Sequence, residues 1–395
     1  MNRAVVLQLL RRFRQLSRAD IARRTGLSEG TVSRIVAELI QERLVTERGV
    51  ENSTGGRPGT LLRLDSSHFY AVGAEVQNWE TRVAVGTLEG RIIASESFRT
   101  PATPVKALEA VADTFESLSK PYAAERLEGL GVIVRGIVNS ETGVLEVGSN
   151  ASWNGLEVRR HLQQRIKVPI YVENDIRSAA SVEYSLGLPE AHASHTLLYV
   201  MVGEGVGMAI VLEGQVYRGP NSAAGELGQM VITDSPGEGR QDRPGCLESL
   251  ASNPAICDRY AELTGSSRKS GEETASRARQ ICYLAVQGDR FARQALLEAC
   301  RYLGIGIANA VWGLDADMVI IDGVITEAWP LVSQAIRSQF PADQDLHHFK
   351  RLDLRPCAFR GDAALLGAVA LPFAHIFETG QRAVAGTRAP KNDSI

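Results

Sequence analysis

The sequence predicts an α/β protein: a small helical head with a winged hairpin, followed by a larger body of two related lobes. Three observations predict it. Apolar residues recur at helical spacing through the N-terminal stretch, strands and helices alternate after Asp65-Ser-Ser67, and the body's opening strand pattern returns in its second half. With 395 residues, 44% of them hydrophobic and 23% charged, the chain has room for two to three domains.

In the head, Val5, Leu9 and Phe13, with Val6 and Leu10, form one face of a first helix. Ser17-Arg-Ala-Asp20 has the form of a capping box and opens a second, short helix through Ile21 and Ala22 that stops at Gly26. Ser28 can cap a third helix, whose inward stripe is Val32, Ile35, Val36, Leu39 and Ile40. Ala22, Gly26 and Val32 have helix-turn-helix spacing: a small residue at the crossing, a glycine at the turn, a branched residue facing inward. Glu29, Thr31, Ser33 and Arg34 then face outward near the start of the third helix, where a recognition helix meets base edges and phosphates. Leu44-Val-Thr-Glu47 and Leu61-Leu-Arg-Leu64 read as strands flanking Ser53-Thr-Gly-Gly-Arg-Pro-Gly59, a wing that would set Arg57 in a minor groove. Ser28, Thr31, Ser33, Arg34 and Arg57 are the expected DNA-binding residues. The competing reading is that such a helical triplet with a hairpin mediates protein contacts.

Charge agrees with the first reading. Residues 1–66 hold twelve arginines, no lysine and seven acids, a net of +5, which leaves −8 for the rest of a chain whose total is −3. A basic head on an acidic body is expected if only the head meets a phosphate backbone.

In the body, residues 70–76, 82–87 and 91–95 read as a meander, followed by a helix at 105–118, apolar strands at 129–138 and 168–172, and a helix at 156–165 between them. A second meander covers 197–202, 207–211 and 215–217, and both copies turn through Leu-Glu-Gly, at 88–90 and 212–214. This self-similarity implies two lobes with a ligand cleft between them. Phe291–Leu314 reads as a long helix or helix pair, buried in the core or in a dimer interface. Expected boundaries are 1–66 for the head, 67–190 for lobe 1 (completed by roughly 361–378), 191–360 for lobe 2, and an unstructured polar tail over 380–395.

Five cysteines lie scattered, without Cys-x-x-Cys spacing, and no His-x-x-x-His pair occurs. No run approaches the ~20 apolar residues of a membrane span, and the N-terminus has no signal-peptide core. A reducing cytoplasm and no membrane partner are expected.

Val172-Glu-Asn-Asp175, Gly225-Glu-Leu-Gly228, Gly245-Cys-Leu-Glu248 and Gly361-Asp-Ala-Ala-Leu-Leu-Gly-Ala368 follow one another in the order of the landmarks of the ROK family (repressor, open reading frame, kinase), and the chain resembles its regulator branch, that of xylose repressors, over nearly all its length. The resemblance implies an actin-like, ribonuclease-H-like body of two lobes that binds a sugar, usually as a dimer; a homodimer or dimer of dimers is expected here. Family kinases begin the body with an Asp-x-Gly-Gly-Thr phosphate turn, whereas this chain has Glu75-Val-Gln-Asn-Trp79. The second phosphate turn, Gly-Thr-Gly, is Gly203-Glu-Gly205, and a later glycine is replaced by an acid in Ile321-Asp-Gly-Val324. Side chains and carboxylates where phosphates would lie argue against catalysis, so no catalytic residue is expected. The family's zinc loop reads Gly239-Arg-Gln-Asp-Arg-Pro-Gly-Cys246, and its histidine is Gln229; one ligand of four remains, so neither metal nor cofactor is expected.

Carried over by motif, Asn174 and Asp175 would hold one edge of a sugar ring, Glu226, Gln229 and Glu248 the other, and Asn150 near Trp153 would close the pocket. Asp175 stands where the kinases have their general base; without nucleotide it can still accept a hydroxyl hydrogen bond. Arg135-Gly136 stands where the family often has Pro-Gly, adding a cation. Plainer readings exist: Asn174-Asp175 as a helix cap, Glu226 as a first-turn carboxylate, Cys246 as a small buried residue. The function implied is a sugar-responsive, DNA-binding repressor of carbohydrate genes. The alternatives are a sugar kinase with an accessory head and a regulator answering to a protein partner.

Overall fold

The computed structural model describes residues 2–50, 59–188, 190–234, 244–266, 274–341 and 347–382. The chain forms two compact units, Met1–Leu186 with Ala364–Ile395, and Gly187–Ala363.

The head comprises α1 (Asn2–Phe13), β1 (Leu16–Ser17), α2 (Arg18–Thr25), α3 (Glu29–Gln41), β2 (Val45–Val50) and β3 (Thr60–Leu64). α1 buries Ala4, Val6, Leu7 and Leu10, while Val5 is 37% exposed. The inward face is therefore turned by about one residue from the Val5–Leu9–Phe13 line read from spacing. The capping box is present: the Asp20 amide donates to the Ser17 hydroxyl and the Ser17 amide to the Asp20 carboxylate, each at 3.2 Å. Gly26 ends α2 in the left-handed region (φ +70°), which frees the chain to turn directly into α3. α3 buries Val32, Ile35, Val36 and Leu39, and β3 pairs with both β1 and β2, making the base of the wing.

The first unit continues with β4 (Tyr70–Val76), β5 (Glu80–Thr87), β6 (Ile92–Arg99), α4 (Pro104–Ser119), β7 (Leu127–Val134), β8 (Gly136–Asn139), β9 (Val144–Gly148), α5 (Val158–Gln163), β10 (Ile170–Asn174) and α6 (Asp175–Leu186). Its sheet has the order β10-β7-β4-β5-β6: an antiparallel meander extended by two parallel strands. The stretch 129–138, expected as one strand, is two, broken at Arg135. Gly136 there has φ +123°, and a Cβ would sit 2.0 Å from the Val147 carbonyl, so β8 leaves the sheet to pair with β9.

The second unit holds β11 (Thr196–Val202), β12 (Val206–Leu212), β13 (Gln215–Tyr217), α7 (Leu247–Ala251), α8 (Asn253–Thr264), α9 (Thr274–Val286), α10 (Arg290–Leu314), β14 (Met318–Asp322), α11 (Trp329–Arg337), α12 (His347–Arg351) and β15 (Asp353–Pro356). Its sheet order, β13-β12-β11-β14-β15, reproduces that of the first unit strand for strand, with the same meander and the same parallel pair. The repeat read from sequence is thus a repeat of topology. α10 is one unbroken helix whose Leu296, Leu303, Ile307 and Val311 lie in this unit's core.

The chain then returns to the first unit through α13 (Ala363–Ala370) and α14 (Ala374–Thr379). α13 lies close on the sheet because Gly73 and Gly131 offer no side chain: a Cβ on Gly73 would sit 2.4 Å from the Val369 amide, and one on Gly131 2.0 Å from the Ala368 carbonyl. Val6, Leu7, Leu10, Ile21 and Leu39 of the head share one core with Ala71, Leu88, Val369, Phe373 and Phe377. Each fully buried leucine of that seam contributes about 1.5–3 kcal/mol. The expected unstructured tail is corrected over 380–382. Gly380 caps α14, and Arg382 donates to Glu128 at 2.6 Å with its guanidinium 3.9 Å from the Phe69 ring centroid. The rest of that tail lies outside the described residues.

Candidate functional site

In the head, the Thr31 amide donates to the Ser28 hydroxyl at 3.2 Å, and the two hydroxyls meet at 2.9 Å. Ser28 is thus the N-cap of α3, and it engages Thr31 in the same role. Ser33 is exposed, and the Arg34 side chain is 70% exposed, held by Glu38 one turn on at 3.1 Å. Glu38 also meets Arg3 at 3.3 Å, tying α3 to α1. An exposed ion pair of this kind is worth about 0.3–0.5 kcal/mol, so a phosphate competes readily for Arg34. The free amides at the start of α3 favour an anion at the same end. Arg57 lies outside the described residues.

In the first unit, Asn174 ends β10 and Asp175 begins α6. The Asn174 amide oxygen accepts from the Ile176 and Arg177 amides at 2.9 and 3.0 Å, and its NH2 donates to the Gly136 carbonyl at 2.9 Å. This is the helix-cap reading, and it leaves Asn174 one N–H for a ligand. Asp175 carries an acceptor with little of its capacity used: one oxygen takes the Ile176 amide at 3.0 Å, and the other lies 4.0 Å from Arg135. Burial pushes its carboxyl above the ordinary value, and Arg135 only partly opposes this. Asn150 is exposed, and its side chain caps the short turn Ala151–Trp153 through the Ser152 amide at 3.1 Å. Trp153, but not Asn150, lines a cavity with Val76, Gln77, Asn78, Val134, Arg135, Leu145 and Ser149.

Sequence reasoning missed the charges behind this cavity. Glu75 is 1% exposed and takes two bonds from Arg82, at 2.7 and 2.5 Å, plus one from the Gln77 amide. Burial raises its pKa, Arg82 opposes that, and the nearby Asp175 charge adds to it. Glu75 and Arg82 are direct partners across β4 and β5, so the meander register was the available signal. Gln77 folds back onto Glu75, and the Asn78 side chain accepts from Ser149 at 3.0 Å. A second buried pair, Arg177 with Glu173 at 2.8 Å, ties α6 to β10, and Arg177 reaches the Val138 carbonyl at 2.8 Å.

In the second unit, Glu226 is exposed and precedes the single turn Leu227–Gln229, packed beside α7, which carries Glu248. Glu248 accepts from the Val206 amide at 3.1 Å, so it also fixes the chain after Gly203-Glu-Gly205. The amide oxygen of Gln229 is buried and has no hydrogen-bond partner among the described residues. Cys246 is buried and its thiol donates to the Gln229 carbonyl at 3.4 Å, the small-residue reading; most of the loop before it lies outside the described residues. Asp322 faces inward: the Tyr199 hydroxyl donates to it at 2.6 Å and the Gly323 amide at 2.7 Å. It is an internal strut of the sheet, which corrects its reading as a charge set against a phosphate.

Residues 72–374 match the model of the ROK family, and residues 2–57 that of the MarR family. The chain is 28% identical over 382 residues to the xylose repressor of Caldicellulosiruptor bescii, covering 94% of each. It is 27% identical over 344 residues to the DNA-binding transcriptional dual regulator NagC of Escherichia coli, covering 86% of this chain and 84% of that one. A crystal structure of a ROK family transcriptional regulator, a homologue of the Escherichia coli MLC protein, matches with a TM-score of 0.71 at 24% identity over 92% of this chain and 95% of the other. The ROK family glucokinase of Streptomyces griseus, solved with glucose and AMPPNP, matches with a TM-score of 0.65 at 21% identity over 76% of this chain and 98% of that one. With the family pattern running from residue 72 to residue 374 behind a winged helix-turn-helix head, the chain belongs to the ROK family.

Proposed function

We propose that this protein is a sugar-responsive repressor that binds operator DNA through its head and controls carbohydrate genes in the cytoplasm, acting as a homodimer or dimer of dimers. The observation that carries the reading is the shared core: the helices of the reading head pack in one cluster with β4, β5, α13 and α14 of the ROK body. Relatives named xylose repressor and N-acetylglucosamine repressor support the sugar class. Arg34, Ser33 and the α3 N-terminus, with its Ser28 and Thr31, are the proposed DNA contacts; Arg57 is proposed from sequence alone. Asp175 and Asn174 in the first unit, and Glu226, Gln229 and Glu248 in the second, are the proposed sugar contacts, while Asn150 caps the turn Ala151–Trp153.

α6 offers the route between the two functions. It starts at Asp175, runs twelve residues (~18 Å) and touches α1 of the head. A ligand that moves Asp175 moves the seat of the reading head. No catalysis and no bound metal belong to this reading. Where a kinase turn would present bare amides to phosphate, Gln77 and Asn78 fold over Glu75 and Ser149.

The test is a thermal-shift panel of sugars and sugar derivatives, followed by a gel-shift titration of the promoter fragment with each stabilising compound. Expected are a melting point that climbs with ligand concentration, a changed operator affinity, and no sugar-dependent ATP consumption. Steady ATP turnover with any sugar would replace the reading with a kinase; operator binding deaf to every sugar would favour control by a protein partner.

A further inference from the structure

Arg135 is the cation of the first-unit cavity, and no described residue accepts a hydrogen bond from it. It stands at the break between β7 and β8 with its side chain 25% exposed. A guanidinium carries five N–H donors in a planar fork. Arg135 donates no hydrogen bond to a described residue; its one ionic partner, Asp175, is 4.0 Å away, beyond hydrogen-bond reach. The neighbouring acids are already taken: Glu75 by Arg82 and Gln77, Glu173 by Arg177. Burial holds Asp175 toward its neutral form, which weakens its claim on the cation. Gln77, Asn78, Ser149 and Trp153 line the same small cavity as Arg135, polar groups beside an aromatic ring. A planar fork without an acceptor in such a cavity matches a carboxylate or a phosphate, which it can bind by two parallel bonds.

We propose that the effector is an anionic sugar, a sugar acid or sugar phosphate, and that Arg135 reads its anionic group. The proposal rests on the sugar-effector reading above and narrows its chemistry. Asp175 then serves a ring hydroxyl, and Arg135 turns from Asp175 to the anion as the ligand enters.

Calorimetric titration of the full-length protein tests this with matched probes: xylose against xylonate, and glucose against glucuronate and glucose 6-phosphate. Arg135→Gln and Arg135→Lys are titrated beside the wild type. The wild type is expected to bind an anionic member at least about tenfold more tightly than its neutral parent. Arg135→Gln should bring that ratio near one, and Arg135→Lys, which keeps the charge but loses the fork, should fall between. The carboxylate and phosphate arms report which anion is read. Neutral parents bound as tightly as their anions by the wild type, or a ratio untouched by Arg135→Gln, would overturn the inference and leave the sugar reading standing. Should Arg135→Gln fail to fold, the wild-type and Arg135→Lys ratios still decide. No heat from any probe, with promoter binding intact, would overturn both.

Discussion

Asp175 shows how one residue can trade stability for recognition. Its folded-state carboxyl is raised by burial, so the folded protein holds the proton to higher pH than the unfolded chain does. The associated stability is fullest below the ordinary carboxylate range and is lost as pH rises through the raised value; Glu75 has the same sign. Asp175→Asn should therefore melt above the wild type at neutral pH, with the gap closing as pH falls, and should lose the effector response while still binding the operator. Melting curves across pH with parallel gel shifts check this; a variant that melts lower at neutral pH contradicts the burial account. Arg34 gives the matching prediction for the head. Arg34→Ala should weaken operator binding and reduce the slope of log affinity against log salt by about one if the contact is to phosphate. Fluorescence anisotropy at several salt concentrations measures both, and an unchanged slope would remove Arg34 from the backbone contacts.

Among the elements, α6 and α13 form the connection that matters most. Gly367 of α13 is packed so tightly on α6 that a Cβ would meet the Ser178 hydroxyl at 2.4 Å and its carbonyl at 2.6 Å. Backbone cannot yield as a flexible side-chain tip does, so Gly367→Ala should cost about 1–3 kcal/mol in denaturant unfolding. The same variant should blunt the effector's influence on operator affinity, because α6 would be displaced between Asp175 and α1. Full stability and a normal response would remove this crossing from the route. At α14 the seam to the head includes Arg11, whose guanidinium lies 4.4 Å from the Phe377 ring centroid and whose pKa is pulled down to about 10 by burial. That is a costly place for a cation, offset by the ring face it covers.

For the molecule as a whole, the head is continuous in its packing with the first unit. Val6, Leu7 and Leu10 are each at most 1% exposed, and their partners include Val369, Phe373 and Phe377, far along the chain. A fragment of residues 1–66 would expose that apolar face. It should unfold without the sharp transition of a stable domain and bind the promoter more weakly than the full chain, as circular-dichroism melts and gel shifts would record. A fragment that melts cooperatively at the temperature of the intact protein would show the seam to be dispensable.

Much of this was legible in the chain. The capping box at Ser17 and Asp20, the turn at Gly26 and the inward stripe of α3 rest on contacts within a few residues, which local sequence controls. The two meanders were legible for the same reason, each closed by its own Leu-Glu-Gly turn. The helix cap at Asn174 was legible in the motif too, as a polar residue between a strand and a helix, but spacing alone did not say that its NH2 reaches the Gly136 carbonyl. Nor did it show Asp322 turned inward to Tyr199, Arg135 left without an acceptor, or Glu75 held by Arg82. These depend on distances between strands and helices remote in sequence, and on how much water each charge retains. The sequence by itself determined the α/β class, the helix-turn-helix head and the repeated body, because hydrophobic period and turn chemistry are local. Only the tertiary structure decided which charges are paired, which donor stands empty and how the head is seated, because burial and charge interaction are set by neighbours that the fold brings in from far along the chain.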